Sequence, residues 1–323
     1  MNAMLDTSVS VNPKLRSRKT LENPHLKRLQ QLHAWTVNGL SFLGCGLALG
    51  LWALGYPPTA AELSVFVALL VLTQIGIIVG FHRHFTHRSF QAKPYVRAIL
   101  AALGSAAAQG NLVFWVALHR FHHDHSDCKG DPHSPYLRGE QSLGFWQGLW
   151  HSHMGWSFDH PIPNPNHYAT DMLRVPILTQ VNRLYFLWIA LGLAVPAGIG
   201  FWGRGNWTGA LFGLLWGGLT RICITQNLVW SITSLAHIWG THDLDSGDRS
   251  TNNLWLALLT FGESWHNNHH AFPQAAIVGW KWWQIDIAGG LIRLLEKTGL
   301  AWEVKIPTDR AIAAKEMRTE KIA

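Results

Sequence analysis

The stretch LSVFVALLVLTQIGIIVGFHRHFTHRSF, residues 63–90, runs without a charge from 63 to 81 and then meets His82 and His87. Roughly 20 apolar residues carry a helix across about 30 Å of hydrocarbon, so this reads as a membrane span ending on two candidate metal ligands. Outward from it, residues 33–61 and 184–203 are also uncharged, and Arg221 alone interrupts 205–242. These runs predict an all-α integral membrane protein. Its four transmembrane helices fall at about 35–55, 62–81, 184–203 and 207–232, paired as two hairpins under a helical cap.

Charge sets the expected orientation, because Lys and Arg concentrate in cytoplasmic segments. Of 26 basic residues, six precede the first span, nine lie between 83 and 183 and nine between 249 and 321, which leaves only Arg204 and Arg221. Both termini and the cap are therefore expected on the cytoplasmic side. The net charge of +7 reads as topology plus attraction to anionic lipid; no nucleic-acid recognition motif occurs. Eighteen tryptophans suit rings anchored at the membrane interface. Cys45, Cys128 and Cys223 make no CxxC motif and no disulfide framework, and no cleavable signal precedes the first run. The expected organisation is a cytosolic tail over 1–32, one domain over 33–305 and a C-terminal tail over 306–323, with 1–20 and 308–323 facing solvent.

The uncharged stretch 98–118 is long enough to be a fifth span. A crossing there would put the bilayer between His87 and His119, so a buried or re-entrant helix on the cytoplasmic side is expected instead. Gly104, Gly110 and the small residues 105–108 suit close packing against other helices.

Eight histidines then converge on one face of the membrane: His82 with His87, His119 with His122 and His123, and His266 with His269 and His270. In a helix, i+3 and i+4 fall about 60° and 40° to either side of i, so a repeated HxxHH splays imidazoles around one or two ions. His237, near the end of the fourth span, adds a ninth donor. Nine nitrogens exceed a closed four-ligand zinc site; two ions with four or five ligands each fit the count. Imidazole suits iron, copper, nickel and zinc alike.

Asp124, Asp127 and Asp131 are candidates to orient metal-bound rings through their second nitrogen, as are Glu263 and Asn267. Asp243, Asp245 and Asp248 read as a solvated polar loop, lacking the terminal glutamate of a calcium loop. His84, His125, His133, His151, His153, His160 and His167 read as hydrogen-bonding or interfacial residues. Gly44, Gly46 and Gly50 read as small residues for helix packing, not a nucleotide loop.

The segments GFHRHFTHRSF (80–90), WVALHRFHHDHSD (115–127) and ESWHNNHHAFP (263–273) resemble those of the membrane fatty acyl desaturases, specifically the Δ9 or stearoyl-CoA desaturase-like branch of bacterial or cyanobacterial type. SLAHIWG (234–240) and GWKWWQID (279–286) add to the likeness, which covers about 35–305. The resemblance implies four transmembrane helices, a cytosolic cap with a di-iron centre, and dioxygen-dependent insertion of a cis double bond, at Δ9, into a saturated acyl chain carried on CoA or glycerolipid. It implies as ligands His82, His87, His119, His122, His123, His237, His266, His269 and His270. Two departures stand out. Thr233 occupies the place of an asparagine that, in the animal enzymes, contributes through water. Ala117 and Leu118 replace an Arg-Asp pair that contacts CoA. With no HPGG haem motif, electrons are expected from a separate protein: ferredoxin, cytochrome b5 or a flavoprotein reductase.

Desaturating an unactivated chain requires that a shaped, dry cavity hold it. Trp115, Trp146 and Trp230 are the leading candidates for its walls, with Phe114, Trp150 and Trp265. Two other classes use similar boxes or ligands: a membrane di-iron alkane or lipid hydroxylase, and a metal-binding or transporting membrane protein. The second is disfavoured by spans almost free of ionisable groups.

Overall fold

A computed structural model describes residues 18–316; the outermost parts of both predicted tails, 1–17 and 317–323, lie outside the described residues. The first span, α1 (Pro24–Ala53), starts earlier than 35 because Asn23 caps it, accepting from the His25 and Leu26 amides, with Pro24 at its first position. The second, α2 (Ala60–Thr86), opens on a reciprocal Thr59–Glu62 capping box. From Gly76 to Thr86 it winds as a wider π-helix and so carries the span beyond the expected residue 81.

The stretch 98–118 is not one helix. It divides into α3 (Pro94–Ala106) and α4 (Leu112–His123), joined by a turn in which Ala108 and Gly110 take φ of 61° and 102°. The break lets the chain reverse, and α3 packs on α2 as it returns. In the cap follow α5 (Phe145–His153) and α6 (Pro176–Arg183). The second pair of spans is α7 (Tyr185–Arg204) and α8 (Trp207–Ile238), the latter containing a second π-helical segment at Leu214–Thr220. The cap closes with α9 (His266–Ala271), α10 (Ile287–Lys297) and α11 (Asp309–Lys315). Among the described residues two short antiparallel pairings stitch distant segments, Thr20–Leu21 to Ile162–Pro163 and Gln91–Ala92 to Ala301–Trp302, and a third closes a local hairpin, Leu137–Arg138 to Gln141–Ser142.

All four long helices are apolar and long enough to cross a membrane. A short connection joins α1 and α2 as a hairpin, and both pack on α8, which also meets α7. At the end away from the cap, Arg204 forms a bidentate pair with Glu62 at 2.7 and 2.8 Å, locking the two short connections together. The one charge within α8, Arg221, is buried and pairs with carbonyls instead: those of Gly217, of Gly192 in α7 and of Ala106 at the C-terminal end of α3. A cation suits that helix end. The C-terminal segment expected to be a tail is tied down within its described part. Lys315 O accepts from the Asp245 amide, and Lys315 Nζ donates to Ala271 O.

Close approach of backbones makes the packing possible. A Cβ on Gly76 would lie 2.2 Å from the Gly104 nitrogen, so α2 and α3 touch through glycine. Gly44 likewise admits Leu219, whereas Gly46 and Gly50 have open space. Gly76→Val is therefore expected to cost about 1–3 kcal/mol and to lower the thermal unfolding midpoint in detergent. Gly46→Val, with nothing within 4 Å of the added carbon, is expected to leave it unchanged.

Candidate metal centre

At 100° per residue, a five-residue spacing places two side chains about 140° apart on an α-helix. The π-helical end of α2 removes that mismatch, since its i→i+5 hydrogen bonds bring i+5 back over i. His87 N–H donates to His82 O at 3.2 Å, and the two rings lie 4.8 Å apart between centroids. The wide spacing in HRHFTH thus belongs to a wide helix.

All nine histidines expected at the site come together, in two sets whose ring nitrogens within each set lie within 4.8 Å of one another. One set holds His82, His87, His119, His123 and His269; the other holds His122, His237, His266 and His270. Each HxxHH box serves both. The i and i+4 rings stay together, His119 with His123 and His266 with His270, while the i+3 ring of each box, His122 or His269, crosses to the other set.

The donor chemistry fits metal binding. His82 Nε2 lies 3.1 Å from His269 Nε2, His119 Nε2 lies 3.1 Å from His123 Nε2, and His237 Nε2 lies 3.1 Å from His266 Nε2. Two nitrogens each about 2.1 Å from one ion would stand about that far apart. His87 Nε2, His122 Nε2 and His270 Nε2 are buried with no hydrogen-bond partner among the described residues. Burial, reinforced by neighbouring rings, holds His119, His123, His266 and His269 well below the ordinary imidazole value and His270 at about 4. Neutral rings of this kind are what a metal ion requires.

Carboxylates set the ring orientations. His122 Nδ1 donates to Asp131 at 2.9 Å, His237 Nδ1 to Asp127 at 2.8 Å, and His270 Nδ1 to Asp248. His82 Nδ1 meets Glu263 at 2.6 Å. With Nδ1 engaged, each Nε2 keeps its lone pair for the centre. Burial would raise the Glu263 carboxyl, but the Arg83 guanidinium and the His82 ring outweigh it and hold it at about 2. Burial acts the same way on Asp131 and is overcome by His122 and His133.

Of the three aspartates after the second box, Asp127 and Asp131 reach the rings; Asp124 instead accepts from Tyr168 and pairs with Lys19. Asn267 does not touch a ring of the centre. Its amide braces residues 243–246, accepting from the Asp243 and Leu244 amides and donating to Leu244 O. Asp248, read from the sequence as part of a solvated loop, backs His270, and Ser246 and Ser250 hydroxyls hold its other oxygen. Nothing in its spacing signals this. Arg83 carries no sequence signal either: buried between Glu263 at 2.7 Å and Asp286 at 2.9 Å, it fastens GWKWWQID to α2. Most of the histidines set aside bond as expected, His84 to Phe90 O, His125 to Phe121 O and His153 to Ser234. His133 departs from that pattern, buried against His122 at 4.2 Å between centroids.

A cavity of about 740 Å³, in the range of about 300–1,000 Å³ usual for small-molecule sites, reaches His82, His119, His122 and His266. Trp115, Trp230 and Phe114 line it, with Ile77, Val229 and Thr233. The Thr233 hydroxyl donates to backbone carbonyls, Ser152 O at 2.8 Å and Trp230 O at 3.1 Å. Trp146 and Trp150 do not line the cavity: they project outward from α5, Trp146 at 76% exposure. α5 packs on α8 through its other face, where His151 and Ser152 are buried, and so turns both indoles away from the cavity. Trp265 is buried but bonds Ile285 O behind the site.

The fatty acid desaturase family model matches residues 57–302. The chain is 46% identical over 308 residues to the hex-5-enoyl-[acyl-carrier protein] acetylenase of Moorena producens (strain JHB), covering 94% of this chain and 95% of that one. It is 38% identical to the sn-1 stearoyl-lipid 9-desaturase of Anabaena variabilis, over 84% of this chain and 93% of that one. With the acyl-CoA C20 Delta5-desaturase of Anemone leveillei the identity is 35%, over 76% and 73%. With the likeness spanning spans, boxes and cap alike, the chain belongs to the fatty acid desaturase family, membrane oxidoreductases that act on acyl chains.

Proposed function

We propose that this protein introduces a cis double bond, at Δ9, into a saturated acyl chain carried on CoA or glycerolipid, using dioxygen and electrons from a separate donor protein. One observation supports this above others: nine imidazoles in sets of five and four stand at the wall of a mainly apolar cavity. His82, His87, His119, His123 and His269 would hold one iron, and His122, His237, His266 and His270 the other. When bound, the iron pair supplies activation of dioxygen and removal of hydrogen from two adjacent methylenes.

The chain's own residues do the positioning. Trp115 stacks at 5.0 Å on His119, so a hydrocarbon laid against that indole lies next to the first set. Trp230, two turns before His237 on α8, lines the same cavity, which His122 and His266 of the second set also reach. Holding one pair of carbons near the centre is worth several kcal/mol of orientation. Asp127, Asp131, Asp248 and Glu263 fix the orientation of the rings and hold the Nδ1 hydrogens, which leaves the Nε2 atoms as the ones that face the centre. The charge map supports cytoplasmic termini and a cytoplasmic site, and ferredoxin, cytochrome b5 or a flavoprotein reductase are the candidate donors.

A second reading draws on the Moorena relative, whose name describes an acetylenase acting on an enoyl chain held by acyl-carrier protein. The same centre could remove two hydrogens from an existing alkene. Expression in a host that makes only saturated lipids separates the two readings. A new cis alkene, located by mass spectrometry at carbon 9, supports desaturation; an alkyne formed only when an enoyl chain is supplied supports the second. An oxygen-18 label in a lipid hydroxyl would instead indicate a hydroxylase.

The purified protein is expected to contain close to two irons per chain, and metal analysis returning close to one would contradict the paired site. His122→Ala is expected to abolish product while the protein remains inserted in the membrane. Asp248→Asn keeps the shape but removes the carboxylate behind His270, and is expected to weaken iron retention by about 10- to 100-fold against a chelator.

A further inference from the structure

One wall of the cavity is unused by the chemistry above. Leu26, Leu29, Leu32, His33 and Thr36 of α1 line it along three helical turns, roughly 15 Å of rise. Across from them stand Tyr185 and Phe186 at the start of α7. Leu32 and Phe186 line the cavity yet are 61% and 73% exposed, so the cavity opens to the outside between these two helices. Both helices are read as membrane spans, and the opening lies at their interfacial ends, just past Lys27 and Arg28 on α1 and Arg183 before α7, where the uncharged runs 33–61 and 184–203 begin and the surface becomes lipid-facing. Apolar residues exposed there meet hydrocarbon and carry no cost of contact with water.

Among the described residues a single hydrogen bond crosses the gap. The Tyr185 hydroxyl accepts from Gly110 N–H at 2.9 Å and lies 2.8 Å from His33 Nε2, to which its own hydrogen is free to point. That one hydroxyl joins α1, α7 and the turn between α3 and α4. The described lining contains no lysine or arginine, and its sole acid, Glu263, is already paired with His82 and Arg83. The cations nearest the mouth, Lys27 and Arg28, stand on α1 between Leu26 and Leu29 at its rim and not in its walls, at the level where the head group of a lipid would lie.

Resting on the reading that this cavity takes an acyl chain, we propose that the chain enters sideways from the bilayer, still esterified to a glycerolipid, through a mouth between α1 and α7 that the His33–Tyr185 pair spans. The head group stays at the membrane surface while the hydrocarbon slides along the leucine face of α1 toward His119 and His266. Tyr185 and His33 act as positioning residues at the rim.

Two measurements test this. In vesicles of phosphatidylcholine bearing a diazirine-labelled stearoyl chain at sn-1, illumination of the unmodified protein is expected to attach lipid to peptides containing residues 26–36 and Phe186. In a background of Cys45→Ser, Cys128→Ser and Cys223→Ser, a Leu32→Cys variant treated with pyrene maleimide is expected to turn over vesicle lipid at least about tenfold more slowly than the untreated variant. The same label on Leu43→Cys, which lies on α1 outside the cavity, should change turnover less than about twofold. Attachment elsewhere, full turnover after labelling at position 32, or turnover of only stearoyl-CoA or stearoyl-acyl-carrier protein from water would overturn the lateral mouth. Absence of unsaturated product from all three substrates would instead reject the desaturase reading, while the attachment pattern would still decide where lipid enters.

Discussion

Nine imidazoles crowded into one buried volume have no attraction of their own; each ring would rather turn its nitrogens toward water. The structure depends on groups behind the rings that remove this freedom. Asp131, Asp127 and Asp248 take the Nδ1 hydrogens of His122, His237 and His270, and Glu263 takes that of His82. These carboxylates are themselves satisfied: Asp131 by the Asp127 and His133 amides, Asp127 by Ser134 and the Arg249 amide, Glu263 by Arg83. Leaving any of these buried charges without its partner would cost several kcal/mol, so the network forms as a whole. It also explains why loops far apart in sequence, around 127–134 and 246–250, fold against one another.

The membrane helices deliver rings to this network by departing from ideal geometry. A regular α-helix would aim His82 and His87 in different directions; eleven residues of π-helix, Gly76–Thr86, bring them together. Such widening is rare and concentrates at functional sites. Here the close contact of Gly76 with Gly104 accommodates it, because α3 can lie directly on the widened backbone. The reversal at 107–111 then brings α4, and His119 with it, back to the same membrane face as His87.

Much of this was legible in the sequence because it rests on short-range patterns. Uncharged runs gave four spans, and the HxxHH spacing put its histidines on one side of a helix before any partner was known. What was not legible depends on tertiary contact. Asp248 sits 22 residues from His270, in a loop whose composition is that of any solvated turn. Trp146 and Trp230 look alike as sequence; only the packing of α5 outward and α8 inward separates an exposed ring from one lining the cavity. The helix break at 107–111 needed a positive φ at Ala108, a residue with no preference for it. The ordering of 309–316 likewise depends on the loop at 244–245 that receives it.

The two histidine sets are not equivalent, and the difference lies in charge. A cation among His122, His237, His266 and His270 would have three carboxylates, Asp127, Asp131 and Asp248, one ring away. A cation among the other five would have only Glu263, whose charge Arg83 already offsets at 2.7 Å. In a region from which water is largely excluded such differences are weakly screened. The four-ring set therefore makes up in surrounding negative charge what it lacks in nitrogen donors. Adjacent histidines couple the sets mechanically as well: His122 and His123, and His269 and His270, are neighbours on one backbone yet face different partners. A shift of either short helix must move a ring in both sets at once, which makes the centre respond as a unit.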